Sequence, residues 1–155
     1  MGNMHRNNTQ LVRSITFIFW LGFFMAISFM EAPLKFTAPG LTMPEGLQIG
    51  KLVFGMLNRL EWVFLVVVLI TCFIRRPDRA ELYMIICATM ILLLETFWLL
   101  PVLDADANKI IAGQALTGGN LHWGYVALEI IKVPVLLLAG LKGIRSLYRP
   151  AMSNN

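Results

Sequence analysis

Ten residues hold most of the chemistry available to this sequence: Glu31, Lys35, Asn58, Arg59, Glu61, Glu95, His122, Tyr125, Glu129 and Lys132. Most of them stand in or at the ends of long apolar stretches. An ionisable side chain in hydrocarbon costs roughly 2.5–3.5 kcal/mol on insertion scales, so it should face a protein interior and by default marks function. His122, Tyr125, Glu129 and Lys132 are spaced 3, 4 and 3, which puts them on one helix face. Glu129 and Lys132 are close enough in sequence to pair within that helix. Phe24, Ser28 and Glu31 form a similar stripe, and Asn58 and Glu61 are three apart. Arg59 points elsewhere on its helix, with Glu31 or Glu95 as the expected partner. Lys35 follows Pro33 and can reach back over the group. Four Glu stand against Arg59, Lys132 and Lys35. An excess carboxylate in such a setting is protonated or holds a cation. Buried ion pairs can equally fix helix register without chemistry, and both readings stand.

The elements that carry these residues follow from composition. The chain has 155 residues, of which 57% are hydrophobic and 14% charged, with a mean hydropathy of +0.69. Soluble domains are about one quarter charged. So little charge could not cover a soluble surface, and disorder, a collagen repeat and a disulfide scaffold are excluded with it. Four apolar stretches, Ser14 to Met30, Leu52 to Ile74, Leu82 to Leu103 and His122 to Ile144, each approach the roughly 20 residues needed to cross a bilayer. The expected fold is all-α: a polytopic membrane protein whose single domain, 1–155, is an antiparallel bundle of four transmembrane helices spanning about 14–32, 48–74, 80–103 and 120–145.

Basic residues set the orientation. Arg6 and Arg13 precede the first span, Arg75, Arg76 and Arg79 join the second to the third, and Lys142, Arg145 and Arg149 end the fourth. Eight of the thirteen Lys and Arg thus share one side. Both termini are expected in the cytoplasm, and the location is the cell inner membrane. The net charge of +4 serves topology, and no basic element suits nucleic acid. Tyr83, Tyr148, Trp98 and Trp123 fall where interfacial anchors belong.

Counting at about 1.5 Å per residue from the basic flank places Glu31 about 27 Å up, Glu61 about 21 Å, Arg59 and Glu95 about 24 Å, and Glu129 and Lys132 about 20 and 15 Å. All lie in the outer half. The inner half reads as apolar or weakly polar, which predicts a polar cavity opening outward and sealed toward the cytoplasm. Thr42-Met-Pro-Glu45 reads as a capping box, so the second helix starts near Met43 and runs about 32 residues, roughly 48 Å. Prolines 33, 39 and 44 argue against a continuous helix through 31–46. Asp104 is expected to cap a short surface helix ending at Gly118-Gly119, with Ile110, Ile111 and Leu116 on the membrane, and Asn120 to cap the fourth helix. Pro134 reads as a kink. Cys72 and Cys87 read as apolar filler.

Nucleophile sets, Walker or dinucleotide glycines and Cys-x-x-Cys pairs are missing, so no catalytic residue is assigned, and a non-enzyme is favoured with the question left open. Met30, Met43 and His122 could approach one another and hold a soft ion such as Cu(I), although their spacing is no motif. His5 reads as a solvated tail residue.

Trp20-Leu-Gly22, Ser28-Phe-Met-Glu-Ala-Pro33, Gly50-Lys-Leu-Val-Phe54 and His122-x-x-Tyr125-x-x-x-Glu129 give the chain a layout that resembles the small four-helix bacterial membrane proteins including the CopD-like and HemJ-like groups. It is most similar to an uncharacterised branch of them. That resemblance implies copper handling or haem-linked protoporphyrinogen oxidation, with copper or haem as the cofactor and, in the HemJ-like group, an essential histidine in the first helix. The first span here has no histidine. Three functions stand at this point. One binds or moves a small solute, proton or cation, one serves as an accessory subunit beside a membrane-protein partner or a second copy, and one is a HemJ-like redox enzyme. The bilayer is the expected common partner.

Overall fold

The structure, a computed structural model, describes the backbone of residues 2–114 and 120–152, and the side chains of residues 7–114 and 123–146. Helix α1 covers Gly2–Met25 and continues through a π-helical segment, Ala26–Glu31, into a single turn, α2, at Ala32–Leu34, and a 3-10 turn at Lys35–Thr37. Helix α3 is Met43–Ile74 and α4 is Arg79–Leu94. A second π-helical segment, Glu95–Leu99, leads into α5, Leu100–Ile111, and α6 is Asn120–Met152. Four of the resulting helical segments are long and apolar enough to cross a membrane: Asn7–Thr37, Met43–Ile74, Arg79–Ile111 and Trp123–Ser146.

Local sequence explains most of these boundaries. The Thr42 side chain and the Glu45 backbone N–H form the expected capping box, with the Thr42 N–H donating to Glu45 Oε2 at 2.8 Å, and α3 has the expected 32 residues. Asp78 caps α4 by accepting from the Glu81 N–H at 3.0 Å. Each π-helical segment ends two residues before a proline. Pro33 and Pro101 have no N–H to offer the carbonyls of Phe29 and Phe97. The preceding residues reach one position further back, Ala32 N–H to Ile27 O and Leu100 N–H to Glu95 O. The helix is widened and not broken.

As expected, no continuous helix runs through 31–46: the chain stays helical through Pro33 and leaves the helix after Thr37. One expectation is corrected. Asp104 lies inside the continuous segment Arg79–Ile111 and caps nothing. The side chain of Asn120, and Leu116, Gly118 and Gly119 altogether, lie outside the described residues, as do the side chains of His5 and Tyr148. Helix α6 runs on through Pro134.

The helices form a ring in which α1 packs against α3 and α6, α4 against α6, and α5 against α3. Arg13 Nη2 donates to the carbonyl oxygens of Thr71, at 2.9 Å, and Arg75, and Lys142 pairs with Asp78. The start of α1, the turn from α3 to α4 and the late part of α6 therefore meet at one basic end. At the far end Lys51 Nζ donates to Asn108 Oδ1 at 2.6 Å. Phe17, Trp20, Phe24, Leu65, Val68, Leu92 and Leu136 fill the bundle axis. The outward faces are apolar too, with Phe73 90% exposed and Leu52 76% exposed. A multi-pass membrane protein presents such faces to lipid. Helices α1 and α6 approach so closely that a Cβ on Gly140 would lie 2.6 Å from Ile18 Cδ1. Cys72 and Cys87 are free thiols.

Candidate functional site

The site is built on one cation. Lys132, on α6, has its charged end buried in the bundle, with a side chain only 1% exposed. Its Nζ lies 2.9 Å from Glu61 Oε1 on α3 and also pairs with Glu95 Oε2. Trp20 on α1 donates its indole N–H to the same Glu61 oxygen at 2.9 Å, and the ammonium stands 4.8 Å from the centroid of the Phe24 ring. All four spanning segments thus contribute to one contact set. Glu129, one turn from Lys132 on α6, accepts from Ser28 Oγ at 2.9 Å and from the Tyr125 hydroxyl. The expected intrahelical pair between Glu129 and Lys132 is not formed. Lys132 is taken up by carboxylates from two other segments, which approach from the bundle axis.

Both π-helical segments lie at this site. The first carries Ser28 and Glu31, and the second carries Glu95 and Thr96. Such widened turns recur at functional sites because they rotate side chains out of α-helical register. Thr96 ties the second one down. Asn58 Nδ2 and Trp62 Nε1 donate to its hydroxyl oxygen at 2.9 and 3.0 Å, and Thr96 donates to Leu92 O at 2.7 Å. Asn58 is therefore a support for Glu95's segment.

Glu31 and Lys35 pair at 3.5 Å toward the far end. Lys35 lies over Gly50, where a Cβ would come within 2.7 Å of Nζ, and stands 5.2 Å from the Phe54 ring centroid. Phe54 meets Tyr125 edge to face, which links this outer pair to Glu129. Two buried oxygens among the described residues have no hydrogen-bond partner, Glu31 Oε2 and Glu95 Oε1.

Several expectations are corrected here. Arg59 does not join the site. It is exposed on the outward face of α3, while Asn58 and Glu61 face inward. Among the described residues the cluster does not open outward either: Glu61, Glu95, Glu129 and Lys132 are each 4% exposed or less. The basic half is not merely apolar. Arg13, fully buried, pairs with Glu81 Oε2 at 3.0 Å and donates to Thr71 Oγ1 at 3.0 Å, and Gln10 Nε2 donates to the other Glu81 oxygen at 2.6 Å. Beside it lies a polar pocket of about 190 Å³ lined by Arg75, Arg76, Asp78 and Lys142. There the Lys142 ammonium, with the Glu81 N–H, holds the Asp78 carboxyl below the usual carboxylate range. The side chain of His122 lies outside the described residues. Among the described residues no group of three His, Cys, Asp or Glu is placed to hold a metal.

The fold and site define a four-span α-helical membrane protein in which buried ionisable residues form salt bridges. Its family is the one described as Domain of unknown function (DUF4149), whose model matches residues 15–107, and the chain belongs to it. The matched stretch includes Trp20, Ser28, Glu61 and Glu95 and ends before α6. No curated protein matches the chain, and no solved structure does.

Proposed function

We propose that this protein binds and exchanges a proton at the Glu61–Glu95–Glu129–Lys132 cluster, with the basic end in the cytoplasm of the cell and the cluster nearer the outer face of the inner membrane. Charge stoichiometry supports the reading. Two carboxyl groups pair with one ammonium inside the bundle, a third, Glu129, stands one turn away on α6, and a site of low dielectric cannot hold the excess negative charge uncompensated. The observation that carries the proposal is Glu95 Oε1, a fully buried carboxyl oxygen with no hydrogen-bond partner. A proton needs only such an oxygen. A metal cation needs a converging ligand set, and the described carboxylates supply none. Glu31 and Lys35 stand between the cluster and the far end of the bundle, and the Arg13–Glu81 pair stands toward the basic end, so ionisable side chains flank the cluster on both sides.

The positive-inside bias of the basic residues supports the orientation. A HemJ-like or CopD-like role draws on the layout of the spans alone, since the crossing part of α1 has no histidine. A role as a subunit of a larger assembly draws on a different residue, the outward-facing Arg59.

Reconstituted into liposomes, the full chain should speed the decay of an imposed pH gradient over protein-free vesicles. Glu95→Gln and Glu129→Gln should return the decay toward the protein-free rate. Equal decay in the wild type and both variants contradicts the proposal.

A further inference from the structure

Helix α3 turns one charged side chain away from the bundle. Arg59 is exposed, and among the described residues it has no hydrogen-bond or ion-pair partner. The same face carries Met56, Val63, Val66, Ile70 and Phe73, all more than half exposed. With Arg59 they are spaced 3, 4, 3, 4 and 3 along α3, the seam by which one helix packs against another.

The depth of Arg59 is fixed by its neighbour. Asn58 donates to Thr96 in the second π-helical segment, so Arg59 lies level with that segment. Thr96 is eight residues before Asp104, about 12 Å or two helical turns at 1.5 Å per residue, and about 22 Å above Glu81. Arg59 is therefore well inside the apolar part of the bundle, with exposed Met56 and Leu52 between it and the far end. A guanidinium facing hydrocarbon there is costly, by up to roughly 2.5–3.5 kcal/mol at the centre of a span, and a carboxylate opposite it offsets part of that cost.

We infer that this face of α3 is the docking surface for a transmembrane helix of a different protein, one bearing an aspartate or glutamate level with Arg59. A second copy of this chain does not supply the group. Glu61, Glu95 and Glu129 are buried in their own bundle, and Glu31 is held by Lys35. A symmetric α3–α3 seam would also set the two Arg59 side chains against each other.

The test places a photoreactive amino acid at Val63 in the full chain, expressed in its native membrane. The expected result is one discrete adduct with a second membrane protein. Its yield should fall about tenfold or more in Arg59→Leu and survive in Arg59→Lys, as loss and retention of one member of a desolvated charge pair predict. Mass spectrometry of the adduct then identifies the facing acidic residue. Reversing both charges, Arg59→Glu with that acid changed to Arg, should restore the adduct. Adducts only with lipid, an adduct of twice the chain's own mass, or an adduct undiminished in Arg59→Leu would each overturn the inference. Arg59→Leu has no internal partner to lose, so the purified variant should unfold at the wild-type temperature. A large fall in that temperature would contradict the outward placement itself.

Discussion

Lys132 Nζ lies 2.9 Å from Glu61 Oε1, joining α6 to α3 inside the bundle. The contact spans 71 positions of sequence, and its oxygen is shared with the Trp20 indole. Breaking it from the lysine side leaves the carboxyl groups of Glu61 and Glu95 in a dry interior without their counter-charge. Lys132→Met should therefore destabilise the protein by about 3–5 kcal/mol, the usual cost of an uncompensated buried charge. Thermal unfolding in detergent reads this. Adding Glu61→Gln and Glu95→Gln to Lys132→Met should recover most of the loss, because the stranded charges are then gone.

The basic end has its own buried pair. Arg13→Met strands Glu81 and also uncaps the Thr71 and Arg75 carbonyls at the end of α3. The expected loss is again about 3–5 kcal/mol. Arg13→Lys should restore only part of it, since an ammonium cannot fork to Glu81, Thr71 and the helix end together. Unfolding curves of the two variants in the same detergent check the order.

The legibility of the sequence differed between the two ends. The four apolar helices, the capping box at Thr42 and Glu45, and the inward face of Tyr125, Glu129 and Lys132 follow from period and residue type. Arg13 did not stand out, because a basic residue before an apolar span has the same appearance whether it meets headgroups or a buried glutamate. Glu81, only two residues after Arg79, was hidden in the same way. The partner of Lys132 depends on how four helices rotate about one another, which a period along one helix does not specify. The π-helical turns had a readable signal, a proline just past each run, at Pro33 and Pro101. At each proline the helix continues, because the carbonyls of Ile27 and Glu95 find donors one residue further on.

Helices α1 and α6 touch through Gly140, where any side chain meets Ile18. Gly140→Leu should force them apart and cost about 1–3 kcal/mol, as overpacking does. The companion Ile18→Ala should relieve part of that cost in the double variant, and unfolding temperatures of the single and double variants measure the coupling.

At the basic surface, Asp78 carries a pH dependence whose sign is fixed. Lys142 lowers its carboxyl below the ordinary value of 3.8. Its contribution is therefore present in full above that ordinary value, and is lost as pH falls through the lower, folded-state one. The pair is exposed, so the effect is under about 1 kcal/mol. Asp78→Asn should flatten this small acid-side slope in unfolding temperature and, through the cap on α4, leave the helix start nearly intact.

The central claim is that the cluster around Lys132 holds a proton on a carboxyl group inside the bundle. Infrared spectroscopy of the purified full chain at neutral pH tests it most directly. The account predicts the carbonyl stretch of a neutral carboxylic acid, shifted by deuterium exchange and diminished or lost in Glu95→Gln, while Glu45→Gln leaves it in place. A spectrum showing only ionised carboxylates, or a neutral-acid band unchanged in both Glu95→Gln and Glu129→Gln, would contradict it.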